Sequence, residues 1–196
     1  MKKKRLGLNL ILLGQIASGK DTQAKTLFRE YNLKPVESGK HWRKMLKEKS
    51  KNGEWIRRTT GVGKPAPVAL MKKFLIEQIE KKPKDKDLLF VGNPRLKPEA
   101  QLLKKILNEK KEKFFALYIT LPEKVIYARS LRSDRYDDSE VNIRRRIKWH
   151  KDQVGKTVNY FDSLGKLKKI NGNQSIEKVS DDIEKAINYF KKLNNK

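Results

Sequence analysis

Short strand-like runs alternate with longer amphipathic segments along most of the chain, and this alternation predicts its secondary structure. The short runs predict five β-strands, at residues 8–13, 34–37, 88–92, 114–120 and 167–171. The longer segments predict six helices, at residues 20–31, 68–81, 97–112, 123–131, 140–161 and 176–193. Strands that alternate with helices favour a parallel sheet joined by crossover helices. We therefore predict an α/β fold with a five-stranded parallel sheet and helices on both faces.

Two polar regions interrupt this alternation. Residues 38–66 carry Trp42 and Trp55 among lysines and arginines, and residues 132–138 form a charged turn between two predicted helices. The chain contains no internal repeat and no low-complexity linker. We predict a single domain over residues 1–196, in which residues 38–66 and a short lid at residues 129–138 cover a site at the carboxyl ends of the strands.

The segment after the first predicted strand carries the clearest chemical signal. Residues 14–23 read GQIASGKDTQ, with glycine at the first and sixth positions and Lys20 at the seventh. Backbone N–H groups of such a loop point at phosphate oxygens, the following helix adds its positive N-terminus, and the lysine reaches the terminal phosphates. The hydroxyl of Thr22 comes one position later than in the general pattern. The sequence therefore predicts a phosphate-binding loop of a particular spacing.

Composition narrows the class of protein. Lysine and arginine number 48 against 23 acidic residues, a formal charge of +25, which favours polyanionic partners. Most of the lysines, however, are scattered along the predicted helices, and such scattered charge is equally typical of a solvated surface that binds no polyanion. The chain has no cysteine, so it forms neither disulfides nor thiolate metal sites. Since no apolar run approaches the roughly 18 residues of a membrane span, and the basic start leads into a strand, we expect a cytoplasmic protein.

Five motifs in order resemble the nucleoside monophosphate kinases of the adenylate kinase type, over essentially the whole chain. That family places one residue between the lysine and the threonine of its phosphate loop, as in Gly19-Lys20-Asp21-Thr22. The four further motifs are SGKHWR at 38–43, GKPAP at 63–67, GNPR at 92–95 followed by Glu99, and RYDD at 135–138 followed by Arg146. The resemblance implies transfer of the γ-phosphoryl group of Mg²⁺-bound ATP to a nucleoside monophosphate, with AMP as the favoured acceptor, giving ADP and a nucleoside diphosphate.

The resemblance also implies a role for each matching residue. Planar guanidinium groups bind phosphate oxygens bidentately, which explains the many arginines. The residues implied in catalysis are Lys20, Arg95, Arg135 and Arg146. Those implied in ATP binding are Gly14, Ala17, Ser18, Gly19, Lys20, Asp21, Thr22, Arg129, Arg132 and Gly172. The insertion at 38–66 is implied to bind the acceptor, whose contacts are Ser38, Gly39, Arg43, Ala66, Gly92, Arg95 and Glu99. Thr22 is implied near Mg²⁺.

Four positions depart from the family pattern. Val91 stands where the family has an aspartate that organises water around Mg²⁺. Asp21 either compensates as a metal ligand, or caps the helix or pairs with a lid arginine. Ala17 replaces a glycine, and its β-carbon restricts positive φ. Glu99 stands where adenine-specific members carry glutamine; because a carboxylate only accepts hydrogen bonds, it suits guanine N1–H and N2–H₂ and leaves the acceptor base open.

Two other functions fit parts of the sequence. Val91, Ala17 and Lys40 also fit a nucleotide-binding protein with weak or no transferase activity. The charge alone fits a nucleic-acid-binding protein, which we disfavour because no recognition helix or aromatic RNA platform is recognisable. We expect a monomer whose partners are nucleotides, without nucleic acid or membrane.

Three individual residues each fit two roles. Asp137 and Asp138 either cap a helix or organise lid arginines, and Trp42 is as suited to packing as to base stacking. The two histidines, His41 and His150, carry no functional signal.

Overall fold

Five parallel strands form one sheet in the computed structural model, which describes residues 3–60, 65–131 and 139–193. The strands are β1 (Asn9–Gly14), β2 (Leu33–Val36), β3 (Asp87–Val91), β4 (Phe114–Thr120) and β5 (Leu167–Asn171). Their spatial order is β2-β3-β1-β4-β5, with every pair parallel. The predicted fold class is confirmed, and each strand lies within one residue of its predicted position.

Helices precede or follow each strand. They are α1 (Lys20–Glu30), α2 (Ser38–Met45), α3 (Lys51–Arg58), α4 (Val68–Glu80), α5 (Lys97–Glu109), α6 (Glu123–Leu131), α7 (Glu140–Trp149), α8 (Gly155–Ser163) and α9 (Ile176–Leu193). The two helices α2 and α3 were not predicted, because each buries only a narrow stripe between polar residues. That stripe consists mainly of Trp42, Met45 and Ile56. None of the helices in the described ranges combines the length and apolarity that a membrane span requires.

The helix predicted at residues 140–161 is present, but it is not α-helical throughout. A π-helical turn, His150–Val154, separates α7 from α8. A π turn inserts one residue into the hydrogen-bond pattern without ending the helix, so the apolar spacing hardly changes and the sequence gives no sign of it. The π turn begins at His150, whose side chain contacts the backbone of Gly14 at the end of β1.

Both faces of the sheet are covered, as the parallel topology requires. On one face α4, α5 and α8 pack against Phe90 and Phe114, with Phe161 of α8 fully buried between them. On the other face α1 and α9 pack against Leu10 and Leu12 of β1. Each such side chain contributes about 1.5–3 kcal/mol by leaving water. The central strands are therefore the rigid part of the molecule.

The topology fixes where a ligand can bind. Strands β2 and β3 lie on one side of β1, and β4 and β5 on the other. Open α/β sheets bind ligands beyond the carboxyl ends of the strands at the point where the strand order reverses. Here the loops that follow β1 and β3 begin side by side at that point, since Leu12 of β1 is paired with Val91 of β3.

Gly53 allows α2 and α3 to pack closely. A β-carbon at this position would overlap the carbonyl oxygen of Glu48 and would lie 2.8 Å from that of Met45. The glycine therefore stands inside a helix, despite its low helix propensity, because no side chain fits there. By contrast, a β-carbon at Gly155 would have no atom of the described residues within 4 Å.

Alanine at these two glycines should act in opposite directions on the free energy of unfolding. We expect Gly53→Ala to destabilise the protein by about 1–3 kcal/mol through overpacking. We expect Gly155→Ala to stabilise it by about 0.4–1 kcal/mol, because its backbone is already helical, with φ −54° and ψ −41°. Urea denaturation followed by circular dichroism measures both values. Equal effects of the two substitutions would contradict the packing described for α2 and α3.

Candidate functional site

The loop between β1 and α1 forms a concave set of backbone N–H groups. Ala17 and Gly19 both have left-handed backbone conformations, with φ 55° and 81°. Left-handed residues within a tight loop turn successive N–H groups toward one point, which suits an anion. The helix α1 begins at Lys20, and its N-cap residue Gly19 provides no side-chain cap, so its first N–H groups remain available. Ala17 adopts this conformation despite its β-carbon, at a cost of about 1–2 kcal/mol.

Gly14 and Ser18 shape the floor of this loop. A β-carbon at Gly14 would overlap Ser18 Oγ and would lie 3.3 Å from Lys20 Cβ, so a larger residue would displace the Ser18 hydroxyl. Ser18 is 4% exposed, and its Oγ has no hydrogen-bond partner among the residues that the structure describes. An unsatisfied buried hydroxyl costs about 1–3 kcal/mol. A phosphate oxygen in the loop is the kind of partner that would satisfy it.

Lys20 connects the loops that follow β1 and β3. Its side chain crosses Gly92, where a β-carbon would lie 3.1 Å from Lys20 Cε. Its Nζ is bound by Asp21, at 2.9 Å from Oδ2 and 3.1 Å from Oδ1. Because the Asp21 side chain is 74% exposed, an incoming anion can displace it from Lys20. Asp21 thus pairs with Lys20, a partner that sequence reasoning did not consider.

The loop after β3 is fixed by its own hydrogen bonds. Arg95 Nε donates to the Gly92 carbonyl at 3.0 Å, and Asn93 Nδ2 donates to the Val36 carbonyl at 2.8 Å. Glu99 Oε2 accepts from the backbone N–H groups of Arg95 and Leu96, at 2.9 and 3.2 Å. Burial raises the pKa of the Glu99 carboxyl, and these N–H groups oppose the rise. Glu99, expected at the acceptor base, therefore also caps α5.

The residues predicted to bind the acceptor through the SGKHWR motif lie at the start of α2. Ser38 is buried, whereas Arg43 is exposed and folds back toward Gly39, where a β-carbon would lie 3.4 Å from Arg43 Nη1. Trp42 is 5% exposed and packs against Phe74, with 5.5 Å between ring centroids. In this conformation Trp42 is a packing residue.

Other residues predicted to bind the acceptor are partly described. Ala66 is half-buried just before α4. Gly63 and Lys64 of the same motif lie outside the described residues.

Arg129, predicted to bind ATP, contacts two segments that are distant in the chain. From α6, its Nη1 lies 3.4 Å from the Ala17 carbonyl oxygen and its Nη2 lies 3.4 Å from that of Gly172. Gly172 is buried after β5, and a β-carbon there would lie 2.6 Å from Ile119 Cγ2. The guanidinium group therefore bridges the phosphate loop and the turn between β5 and α9.

The remaining predicted residues are placed as follows. Arg146 is half-buried on α7, and Thr22 is exposed in the first turn of α1. Val91 packs against the core face that carries α1 and α9, so an apolar side chain fills the place expected for a carboxylate. The lid residues Arg132, Arg135, Asp137 and Asp138 lie outside the described residues.

Sequence reasoning missed two polar residues, His150, which is half-buried, and Thr157, which is buried. His150 Nε2 lies 3.0 Å from the Gly14 carbonyl oxygen, and Thr157 Oγ1 donates to the Arg95 carbonyl at 2.9 Å. Burial lowers the pKa of His150; the hydrogen bond to Gly14 opposes this change, and the nearby cations Arg95 and Lys20 add to it. The one available signal was Thr157, a polar residue on the apolar stripe of its helix. The partners themselves lie too far away in the chain to be inferred.

Known proteins that are similar to this chain carry the name adenylate kinase. The family model of that description matches residues 12–166. An adenylate kinase of Azobacteroides pseudotrichonymphae genomovar. CFP2 is 28% identical over 190 residues, which cover 94% of this chain and 100% of the relative. That of Parabacteroides distasonis is 29% identical over 189 residues, with the same coverage. Adenylate kinase 1 of Synechocystis sp. is 27% identical over 179 residues, which cover 91% of this chain and 96% of the relative.

Removing the charge of Asp21 should strengthen anion binding at Lys20. We expect Asp21→Asn to bind pyrophosphate about 3- to 10-fold more tightly without metal, since the carboxylate competes for the same ammonium group. Isothermal titration calorimetry measures the dissociation constant. Asp162→Asn is the matched control, because it changes the net charge equally at a carboxylate 3.3 Å from Lys169, outside the site. The same gain in both variants would show that only net charge matters.

Proposed function

The chain belongs to the adenylate kinase family and is an ATP-dependent phosphotransferase, and on this premise we propose that it transfers the γ-phosphoryl group of Mg²⁺-bound ATP to AMP. The products are two molecules of ADP. The observation that supports this proposal best is the close approach of the Lys20 side chain to the backbone of Gly92, which brings the two loops at the strand ends together. The similar proteins named adenylate kinase support AMP as the acceptor.

In the proposed reaction an oxygen of the AMP phosphate attacks the γ-phosphorus of ATP. The bond between that phosphorus and the β,γ-bridging oxygen breaks, and the electron pair stays on the ADP that leaves. Little covalent chemistry remains for the protein, so catalysis consists of positioning the two phosphates and neutralising their charge. Lys20 and backbone N–H groups of the phosphate loop bind the donor, whereas Arg43 and Arg95 bind the acceptor phosphate. Arg135 and Arg146 neutralise the group in transfer.

The donor base would bind next to Arg129. The guanidinium group is planar and stacks on aromatic rings. In the structure it already lies between the phosphate loop and Gly172, held by two carbonyl oxygens at 3.4 Å. We propose that adenine stacks on this group and meets the backbone of Gly172. Arg132 would add a further cation to the donor phosphates.

The residues at the start of α1 fit a magnesium ion. Thr22 and Asp21 are exposed there and offer oxygen ligands. Mg²⁺ prefers oxygen and is usually held by one or two protein groups together with substrate phosphates and water. When bound, the ion would neutralise part of the charge on the donor phosphates. Asp21 would contribute only after it releases Lys20.

Turnover with a panel of acceptors tests the proposal directly. Purified protein with ATP, Mg²⁺ and one of AMP, GMP, CMP, UMP or dTMP should form the nucleoside diphosphate, fastest with AMP, as measured by anion-exchange chromatography. ATP binding without turnover on any acceptor would instead support a nucleotide-binding protein of the same fold.

Two substitutions test the assignment of the cations. We expect Lys20→Ala and Arg95→Ala each to lower kcat about 100- to 1,000-fold, because each removes a charge that binds a phosphate. Lys105→Ala and Arg29→Ala, both exposed and away from the strand ends, are the matched controls and should leave kcat unchanged. Near-normal rates in either of the first two variants would contradict the assignment.

Glu99 should make the choice of acceptor depend on pH. Burial raises the pKa of the Glu99 carboxyl. The carboxyl therefore stays protonated up to a higher pH than that of an ordinary glutamate, and in that form it can donate a hydrogen bond to adenine N1. Once deprotonated it can only accept. Glu99→Gln keeps the acceptor oxygen that caps α5. We expect it to raise kcat/KM for AMP about tenfold at pH 8 and much less at pH 5.5. A kcat/KM for AMP that is unchanged at both values of pH would exclude Glu99 as a base contact.

A further inference from the structure

We propose that the helical segment at residues 140–163 fixes the spacing between the donor and acceptor phosphate loops, through His150 and Thr157. His150 contacts the first residue of one loop, and Thr157 contacts Arg95 of the other. Both are positioning residues, since each acts on a backbone carbonyl and neither reaches the reacting atoms. The inference rests on the proposed function only in assigning the two loops to donor and acceptor.

His150 holds one side of the peptide group that opens the phosphate loop. The C=O of Gly14 and the N–H of Gln15 belong to the same planar unit. The carbonyl oxygen lies 3.0 Å from His150 Nε2, and the N–H donates to the Ile119 carbonyl at 3.1 Å. The plane is therefore held from opposite sides, by the helical segment and by β4. Rotation of this plane would redirect the N–H groups that follow it in the loop.

The protonation state of His150 suits this role. A carbonyl oxygen only accepts, so Nε2 must carry the hydrogen, an assignment that follows from the partner. The hydrogen bond to Gly14 favours the second proton, but burial, Arg95 and Lys20 oppose it, and the pKa of His150 is lowered. The ring of Tyr118 lies nearly parallel to the imidazole, at 6.1 Å between centroids. A neutral, oriented imidazole thus holds the loop without adding a charge beside Lys20.

Thr157 holds the acceptor loop in a similar way. Its side chain is fully buried, and its Oγ1 donates to the Arg95 carbonyl at 2.9 Å. On the other side of the same residue, the Arg95 N–H donates to Glu99 Oε2 at 2.9 Å. Both polar backbone groups of Arg95 are therefore held, which fixes the origin of its side chain.

His150 and Thr157 lie on one continuous helical segment, residues 140–163. The π-helical turn His150–Val154 begins at the first of them, and its extra residue sets where Thr157 lies relative to His150. Arg146 precedes His150 by four residues, so both lie on the same side of the helix. The helical segment therefore fixes the positions of three elements of the site relative to one another: the phosphate loop, the Arg95 loop and Arg146. Because displacements of about 1 Å can cost 100-fold in rate, such a spacer affects turnover.

Paired substitutions separate positioning from packing at His150. We expect His150→Leu to weaken ATP binding and to lower kcat about 10- to 100-fold. We expect His150→Gln to restore most of both, because its carboxamide N–H reaches about as far as Nε2. His150→Asn, whose side chain is shorter, should behave like His150→Leu. Calorimetry gives the dissociation constant of ATP, steady-state kinetics gives kcat, and thermal unfolding identifies variants that have lost the fold.

The same design applies at Thr157. Thr157→Val removes the hydroxyl at constant shape, and we expect it to raise KM for the acceptor and lower kcat about tenfold, with little change in ATP affinity. Thr157→Ser should recover both. Ser163→Ala is the control, because it removes a hydroxyl from the same helix whose partner is the local Tyr160 carbonyl. In the double variant His150→Leu/Thr157→Val the losses should be less than multiplicative, since either break releases the same spacing.

Equal ATP affinity and equal kcat in His150→Gln and His150→Asn would overturn the proposal. It would also be overturned if KM and kcat of Thr157→Val stayed within about twofold of those of the unsubstituted protein. Should His150→Leu not fold, the comparison of His150→Gln with His150→Asn decides. If the protein transfers no phosphoryl group to any acceptor, the proposed function fails. The contrast in ATP affinity between the His150 variants then still tests the clamp on the phosphate loop.

Discussion

The mutual repulsion of two phosphate groups is the constraint that organises this molecule. The proposed reaction requires them to meet, so positive groups must converge at one place and stay there. The sheet supplies that place, because its order sets the carboxyl ends of β1 and β3 side by side. Lys20 spans the two loops that begin there, while buried strands provide a rigid base. Uncharged groups, His150 and Thr157, hold the backbone without adding to the charge.

Much of the fold could be predicted because its signals are local. Apolar runs located each strand within one residue, and the glycines of the phosphate loop occupy positions where the backbone demands them. A β-carbon at Gly14 would displace the Ser18 hydroxyl, and Gly19 is left-handed. The helices α2 and α3 escaped prediction because their buried stripe is narrow. The π turn escaped because one inserted residue changes hydrogen bonds but hardly changes the apolar spacing.

The site was less predictable, because its contacts join residues that are distant in the chain. The family resemblance implied that Arg129 and Gly172 both lie at the ATP base, and the structure places Arg129 Nη2 3.4 Å from the Gly172 carbonyl oxygen. Nothing in the sequence indicated that Asp21 binds Lys20 or that Glu99 caps α5. Relative to the family pattern, a carboxylate is lost at Val91 and gained at Asp21. The charge near the phosphates is thus moved from the end of β3 to the start of α1.

Direct transfer between two bound nucleotides is the central claim, and isotope transfer tests it most directly. The protein is incubated with Mg²⁺, AMP and ATP labelled with ³²P at the γ-position, and the products are separated by chromatography. The account predicts that label lost from ATP appears in the β-phosphate of the ADP formed from AMP. Label released mainly as inorganic phosphate, or ATP that stays intact in the presence of AMP, would contradict it.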